Sequence, residues 1–141
     1  MATLIRPELS ERNKYWISKH RHYELKHFCL QYPEWKMRYY ELATLSKREF
    51  RAAPSRTGNH SDPIFRIVEK RDFYSRRIRM LEQTAMEADP DLAKYLLKAV
   101  TESLSYNQLK TRLDIPCGRD MYYDRYRKFF WILDKKRDSL N

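Results

Sequence analysis

The chain has 141 residues, with 29 Lys and Arg against 19 Asp and Glu, a net charge of +10 and a pI near 9.7; it is long enough to bury a core without help from disulfides or metal. No apolar run approaches bilayer-spanning length, and the opening M-A-T-L-I-R-P lacks the hydrophobic stretch of a signal peptide, so neither a membrane nor a secreted protein is expected. Cys29 and Cys117 match no zinc or redox spacing, which leaves a reducing cytoplasmic setting and no cofactor as the expectation.

Two glycines, few Val or Ile and abundant Leu, Lys, Arg, Glu and Tyr favour helices over strands, so the fold class expected is all-α. The charge is uneven. Residues 1–59 hold 12 basic against 6 acidic side chains, 60–102 hold 8 of each, and 103–141 hold 9 against 5. A positive field at both ends attracts a polyanion.

In chain order, the first eighteen residues read as an arm, with Ser18 as N-cap of a helix that begins near Lys19. Tyr23, Leu25, Phe28, Cys29 and Leu30 supply its apolar side. Pro33 permits a second helix to about Leu45, with Trp35, Tyr39, Leu42 and Leu45 inward. Residues 1–50 are thus a helical arm or hairpin. The stretch 51–62, R-A-A-P-S-R-T-G-N-H-S-D, has the composition of a loop. Asp62 and Pro63 then open a long central helix, 63–88, whose stripe is Ile67, Tyr74, Ile78, Leu81 and Ala85. Within it, K-R-D-F-Y-S-R-R-I-R interleaves five basic residues with aromatics and reads as a solvated face with ordinary ion pairs.

Residues 89–141 form the last segment. Asp89 and Pro90 open a helix to about residue 102 with Leu92, Tyr95, Leu96, Ala99 and Val100 inward. Ser105 followed by Gln108 is a capping-box pattern that starts a short helix, Tyr106 to Leu113, and Pro116 ends it. The final helix runs from about Gly118 to Asp138 with Tyr122, Tyr126, Phe129 and Leu133 inside. In order these are a scaffold, a crossing helix, a turn at 114–117 and a recognition helix, the parts of a helix-turn-helix. Ile115 falls where the turn drops an aliphatic residue into the core.

The stretch S-Y-N-Q-L-K-T-R-L-D-I resembles the promoter-reading region 4 of sigma factors and the sigma-like late-transcription regulators of phages of Gram-positive bacteria, of the RinA and ArpU kind. The resemblance spans about residues 89–137. Asp114 stands where that family usually has Gly, which Asp tolerates because it accepts left-handed backbone, and P-C-G-R-D makes the turn about one residue longer. The resemblance implies a helical bundle with a C-terminal helix-turn-helix of the sigma region 4 kind, in a phage or prophage protein of the bacterial cytoplasm. It would bind double-stranded DNA as a monomer or homodimer and regulate transcription, its N-terminal helices serving dimerisation or contact with RNA polymerase.

On the non-core side of the last helix, Arg119, Tyr123 and Arg127 recur at steps of four with Lys128 beside them. An arginine can take guanine O6 and N7 together, whereas lysine and tyrosine hydroxyls hold phosphates. Lys110 and Arg112 on the crossing helix are candidate backbone clamps. Asp120 and Asp124 flank the same face and oppose phosphate, unless they hold neighbouring arginines in place. Two other roles suit a small basic phage protein: inhibiting a host protein or nucleoprotein complex such as a defence system, and recognising DNA within a packaging motor.

An enzyme is not expected. His20, Glu24 and His27 at i, i+4 and i+7 are ligand types for zinc or iron, yet they form neither H-E-x-x-H nor a paired E-x-x-H repeat. Two glycines cannot make a phosphate loop, and Cys29 is better placed in the core than against His22 or His27. The acidic residues are scattered among basic ones, as in helix surface pairs.

Overall fold

The computed structural model describes residues 11–52 and 62–140. Six helices and no strands occur among them: α1 Lys19–Leu30, α2 Tyr32–Ala52, α3 Pro63–Ala88, α4 Ala93–Glu102, α5 Tyr106–Leu113 and α6 Arg119–Asp138. The all-α expectation is met. The start of the arm, residues 1–10, and most of the expected loop, 53–61, lie outside the described residues.

The chain divides into two units, Tyr32–Arg79 and the remainder, so α1 joins α4 to α6 in one unit while α2 and the first part of α3 form the other. A division into consecutive segments could not anticipate that. Leu25, Phe28 and Cys29 of α1 are buried, and α1 packs against both α4 and α6. The inward phase of α1 differs from the expected one. His22 is 3% exposed while Tyr23 and Leu30 face solvent, because the spacing 22, 25, 29 keeps one stripe on a 3.6-residue helix. The His22 ring meets Phe130 at 4.7 Å and Tyr126 at 6.2 Å between centroids.

Arg21 fastens the same pair of helices. Its Nε donates to Asp134 Oδ1 at 2.6 Å, and its Nη2 donates to Asp138 Oδ1 at 2.8 Å and to the Asp134 carbonyl at 3.1 Å. The hydrogen bond to Asp134 raises the guanidinium pKa further. Part of the arm also folds back. Asn13 caps a turn by accepting from the Tyr15 N–H at 2.9 Å, and the Tyr15 ring stands edge-on to Trp131 of α6 at 5.6 Å.

Ser18 has the extended backbone of an N-cap but makes no side-chain cap bond. The helix beginning at Asp89 is corrected: α4 starts at Ala93, because the Asp89 carboxylate accepts from the Asp91 and Leu92 N–H groups and holds a turn there. The second helix starts at Tyr32 and continues past Leu45 to Ala52. Its apolar spacing fades after Leu45, but no breaker occurs before Pro54, and Lys, Arg, Glu and Ala sustain a helix by propensity. Trp35 is buried as expected, Tyr39 and Leu42 are half-buried, and Leu45 is exposed. On α3, Ile67, Leu81 and Ala85 are buried and Tyr74 and Ile78 half-buried.

Candidate nucleic-acid interface

The expected bounds of α5 hold, and its ends are chemically defined. Ser105 Oγ accepts from the Gln108 N–H at 3.2 Å while Gln108 Oε1 accepts from the Ser105 N–H at 2.8 Å, closing a capping box. At the other end Asp114 adopts φ 52°, ψ 53°, the left-handed conformation that ends a helix. Ile115 then drops fully into the core. The turn is tied from α5: Tyr106 Oη donates to the Cys117 carbonyl at 2.6 Å, and Lys110 Nζ donates to the Ile115 carbonyl at 3.3 Å. Gly118 is the N-cap of α6, one residue later than the expected turn ended.

This geometry places Arg119 in the exposed first turn of α6, where Nη2 donates to Asn107 Oδ1 at 2.8 Å and the guanidinium lies 5.6 Å over the Tyr106 ring. Its reach is therefore preset by α5. Lys110, one turn along α5 from Asn107, is exposed, with Asp114 at 3.7 Å. Arg112 is exposed too, but two residues on a helix are about 200° apart. Lys110 and Arg112 therefore flank α5 on opposite sides.

The later candidates are less free. Tyr123 is half-buried, its ring 5.0 Å from Tyr122 and 6.1 Å from Tyr126. Arg127 is half-buried, with Nε inaccessible and without a hydrogen-bond partner among the described residues. One turn beyond it, Trp131 carries Tyr15 on one contact and Lys135 Nζ at 3.2 Å over its ring. Lys128 is half-buried. Steps of four drift about 40° each on a helix, so Arg119, Tyr123 and Arg127 meet three different surroundings.

Of the two carboxylates expected to oppose phosphate, Asp124 is occupied. Asp124 accepts from Arg125 Nη1, and Arg125 Nε donates to Asp89 Oδ2 at 2.9 Å, binding α6 to the turn before α4. Asp89 is the first cause of the raised Arg125 pKa. Asp134 and Asp138 serve Arg21, and Lys136 Nζ meets Glu87 Oε2 at 2.8 Å. Arg21 and Arg125 carried no sequence signal of these roles, since their partners lie 113 and 36 residues away. Asp120 stays exposed beside Arg119.

Other sequence features resolve into local pairs. In the run from Lys70 to Arg79, Arg71 lies 5.5 Å over the Tyr39 ring, Arg76 pairs with Asp72 at 3.0 Å, Arg77 lies 3.4 Å over Phe73, and Arg79 donates to Ser75 Oγ at 3.0 Å. His20, Glu24 and His27 are all exposed, with Glu24 accepting from Arg21 at 3.0 Å. Among the described residues no group of three His, Cys, Asp or Glu could hold a metal, and no helix is long and apolar enough to cross a membrane. Burial pushes the Cys29 thiol far up and raises that of Cys117 less, with Asp89 adding to the latter. Neither is set up as a thiolate nucleophile.

A cleft of about 240 Å³ lies in the same unit, between α1, the α4–α5 connection and α6. Tyr122, Tyr123, Tyr126 and Phe130 line it from α6 and Lys26 from α1. The spacing of Tyr122 and Tyr126 predicts both inward, but it places Tyr123 on the outer face and signals no cleft. The chain matches no protein-family model, no curated protein and no solved structure.

Proposed function

We propose that α4, α5 and α6 act as a helix-turn-helix of the sigma region 4 kind, which binds duplex DNA and regulates transcription in a phage or prophage setting. The observation that carries this reading is Arg119: it is exposed in the first turn of α6 and oriented by Asn107 and Tyr106 of the preceding helix. A recognition helix contacts bases from its N-terminal residues, and an oriented arginine suits guanine O6 and N7. Lys110 and Arg112, on the two flanks of α5, would each meet a phosphate backbone. Tyr123, Arg127 and Lys128, further along α6, would add contacts from their outer atoms. The net charge of +10 supplies sequence-independent attraction through counterion release.

Titration of labelled duplexes, random and from the gene's own neighbourhood, over a range of salt concentrations tests the reading. Arg119→Ala is expected to weaken selective binding about 10- to 100-fold, the effect of losing one bidentate base contact. Lys110→Ala should weaken binding to all sequences alike and lower the salt slope by about one. Selective binding that survives Arg119→Ala would remove α6 as the reading helix.

A further inference from the structure

The aromatic cleft does not include Arg119, Lys110 or Arg112, though it shares Tyr123 with the α6 candidates and Ser105 with the α5 cap. Its α6 side is built from rings: Tyr123 and Tyr126, with centroids 6.1 Å apart, are half-buried and present surface to it, while Tyr122 and Phe130 pack behind them, 1% and 2% exposed. Leu30, Ala99 and Val100 contribute aliphatic surface from α1 and α4. Such a lining favours a flat, polarisable body. The volume of about 240 Å³ falls below the roughly 300 Å³ at which pockets for drug-sized ligands begin, which suits one ring system rather than an extended molecule.

Two polar features narrow the chemistry. Tyr122 is 1% exposed, yet its hydroxyl has no hydrogen-bond partner among the described residues. A buried donor left unmade is costly, so an occupant with a hydrogen-bond acceptor in its ring is favoured. Lys26 lines the cleft, no carboxylate does, and Lys26 makes no ion pair among the described residues. A single cation without a counter-charge beside an aromatic wall calls for a ring that carries an anion. The serine hydroxyls of Ser103 and Ser105 at the α4–α5 connection complete a lining of rings, hydroxyls and one ammonium.

We propose that the cleft binds one nucleobase with its phosphate on Lys26: the base stacks against Tyr123 and Tyr126 and, by a small shift that uncovers the sealed Tyr122 hydroxyl, accepts from Tyr122 Oη. Every base has a π-face and ring acceptors, and stacking on aromatic side chains is how unpaired bases are held. A free nucleotide and an unpaired base of a single strand present this same chemistry. The site does not rest on the duplex-reading proposal.

Full-length protein is titrated with AMP, with dTMP, with inorganic phosphate, with a short oligo-dT strand and with an abasic strand of equal length, following backbone amide shifts by NMR. Base-bearing probes are expected to move the amides of 26–30 and 122–130, while inorganic phosphate and the abasic strand leave them in place. Lys26→Gln should weaken binding about tenfold, the effect of losing one hydrogen bond to a charged group. Tyr122→Phe keeps the ring, and thus the wall, and should also weaken binding. Saturation by mononucleotides identifies a free nucleotide as the occupant; saturation by the oligomer alone identifies an unpaired base. The proposal fails if no base-bearing probe moves these amides, if the abasic strand moves them equally, or if both substitutions leave affinity unchanged. Arg119→Ala is expected to spare this binding and Lys26→Gln to spare duplex binding, so the two readings fail separately.

Discussion

Tyr122 shows at the scale of one residue how a fold can carry an unmet demand. Its ring belongs to the core, but its buried hydroxyl has no partner among the described residues, and burial raises its pKa well above the ordinary value of 10.0. The native state therefore keeps a proton that the unfolded chain releases as pH rises past about 10, so this residue lowers stability with rising pH in that range. Cys29 acts in the same sense from its ordinary value of 9.0. Tyr122→Phe is expected to raise stability at neutral pH by about 1 kcal/mol, the lower end of the cost of an unmade buried donor. It should also make the alkaline loss shallower, and denaturant midpoints between pH 7 and 11 would show both. A variant less stable than wild type at neutral pH would mean that the hydroxyl has a partner in solution. The inward position of Tyr122 was legible from its spacing with Tyr126, Phe129 and Leu133. The orphaned hydroxyl was not, since it depends on what three other helices bring to it. His22 was not legible for a simpler reason: a polar residue type sits at a core phase.

Among the elements, α5 was the most legible, whereas the start of α4 was not legible. Ser105 and Gln108 define the start of α5 and Asp114 its end through bonds to near neighbours, and such local chemistry survives in any tertiary setting. The start of α4 depends on Asp89, which caps a turn and also pairs with Arg125 of α6; the second role cannot be read locally. With eight residues, α5 is too short to persist without its cap and its packing. Ser105→Ala is expected to cost about 1 kcal/mol in a chemical denaturation measurement. The opposite change is available at the start of α6. Gly118 has an ordinary φ of −79° and makes no cap bond, and a Cβ there meets nothing within 4 Å. Gly118→Ser should therefore add a few tenths of a kcal/mol, from a new cap and a less flexible unfolded chain. A loss of stability there would show that the turn needs glycine for a reason other than space.

For the whole molecule, the sequence suggested a DNA-binding segment, 89–141, standing after the other elements, whereas the structure joins α1 to that segment in one unit. The apolar contribution of α1 is large: Leu25 and Cys29 are wholly buried, Phe28 nearly so, and Arg137 lies 4.6 Å over the Phe28 ring. Arg21 adds charge-assisted bonds to two carboxylates of α6. Removing α1 would expose the facing surfaces of α4 and α6 and leave Asp134 and Asp138 without their arginine. Each large apolar side chain buried there is worth roughly 1.5–3 kcal/mol, so Leu25 and Phe28 together contribute about 3–6 kcal/mol, a large share of the stability of a small domain, about 5–15 kcal/mol. A fragment of residues 80–141 is therefore expected to lack a cooperative thermal transition and to bind duplex DNA only weakly. A fragment that keeps residues 11–31, joined by a flexible linker in place of 32–79, should recover the transition. Circular dichroism melts of the two fragments decide the matter. Cooperative melting of 80–141 alone would make α1 an accessory to the C-terminal helices rather than part of their core, and would return the DNA-binding proposal to the last three helices by themselves.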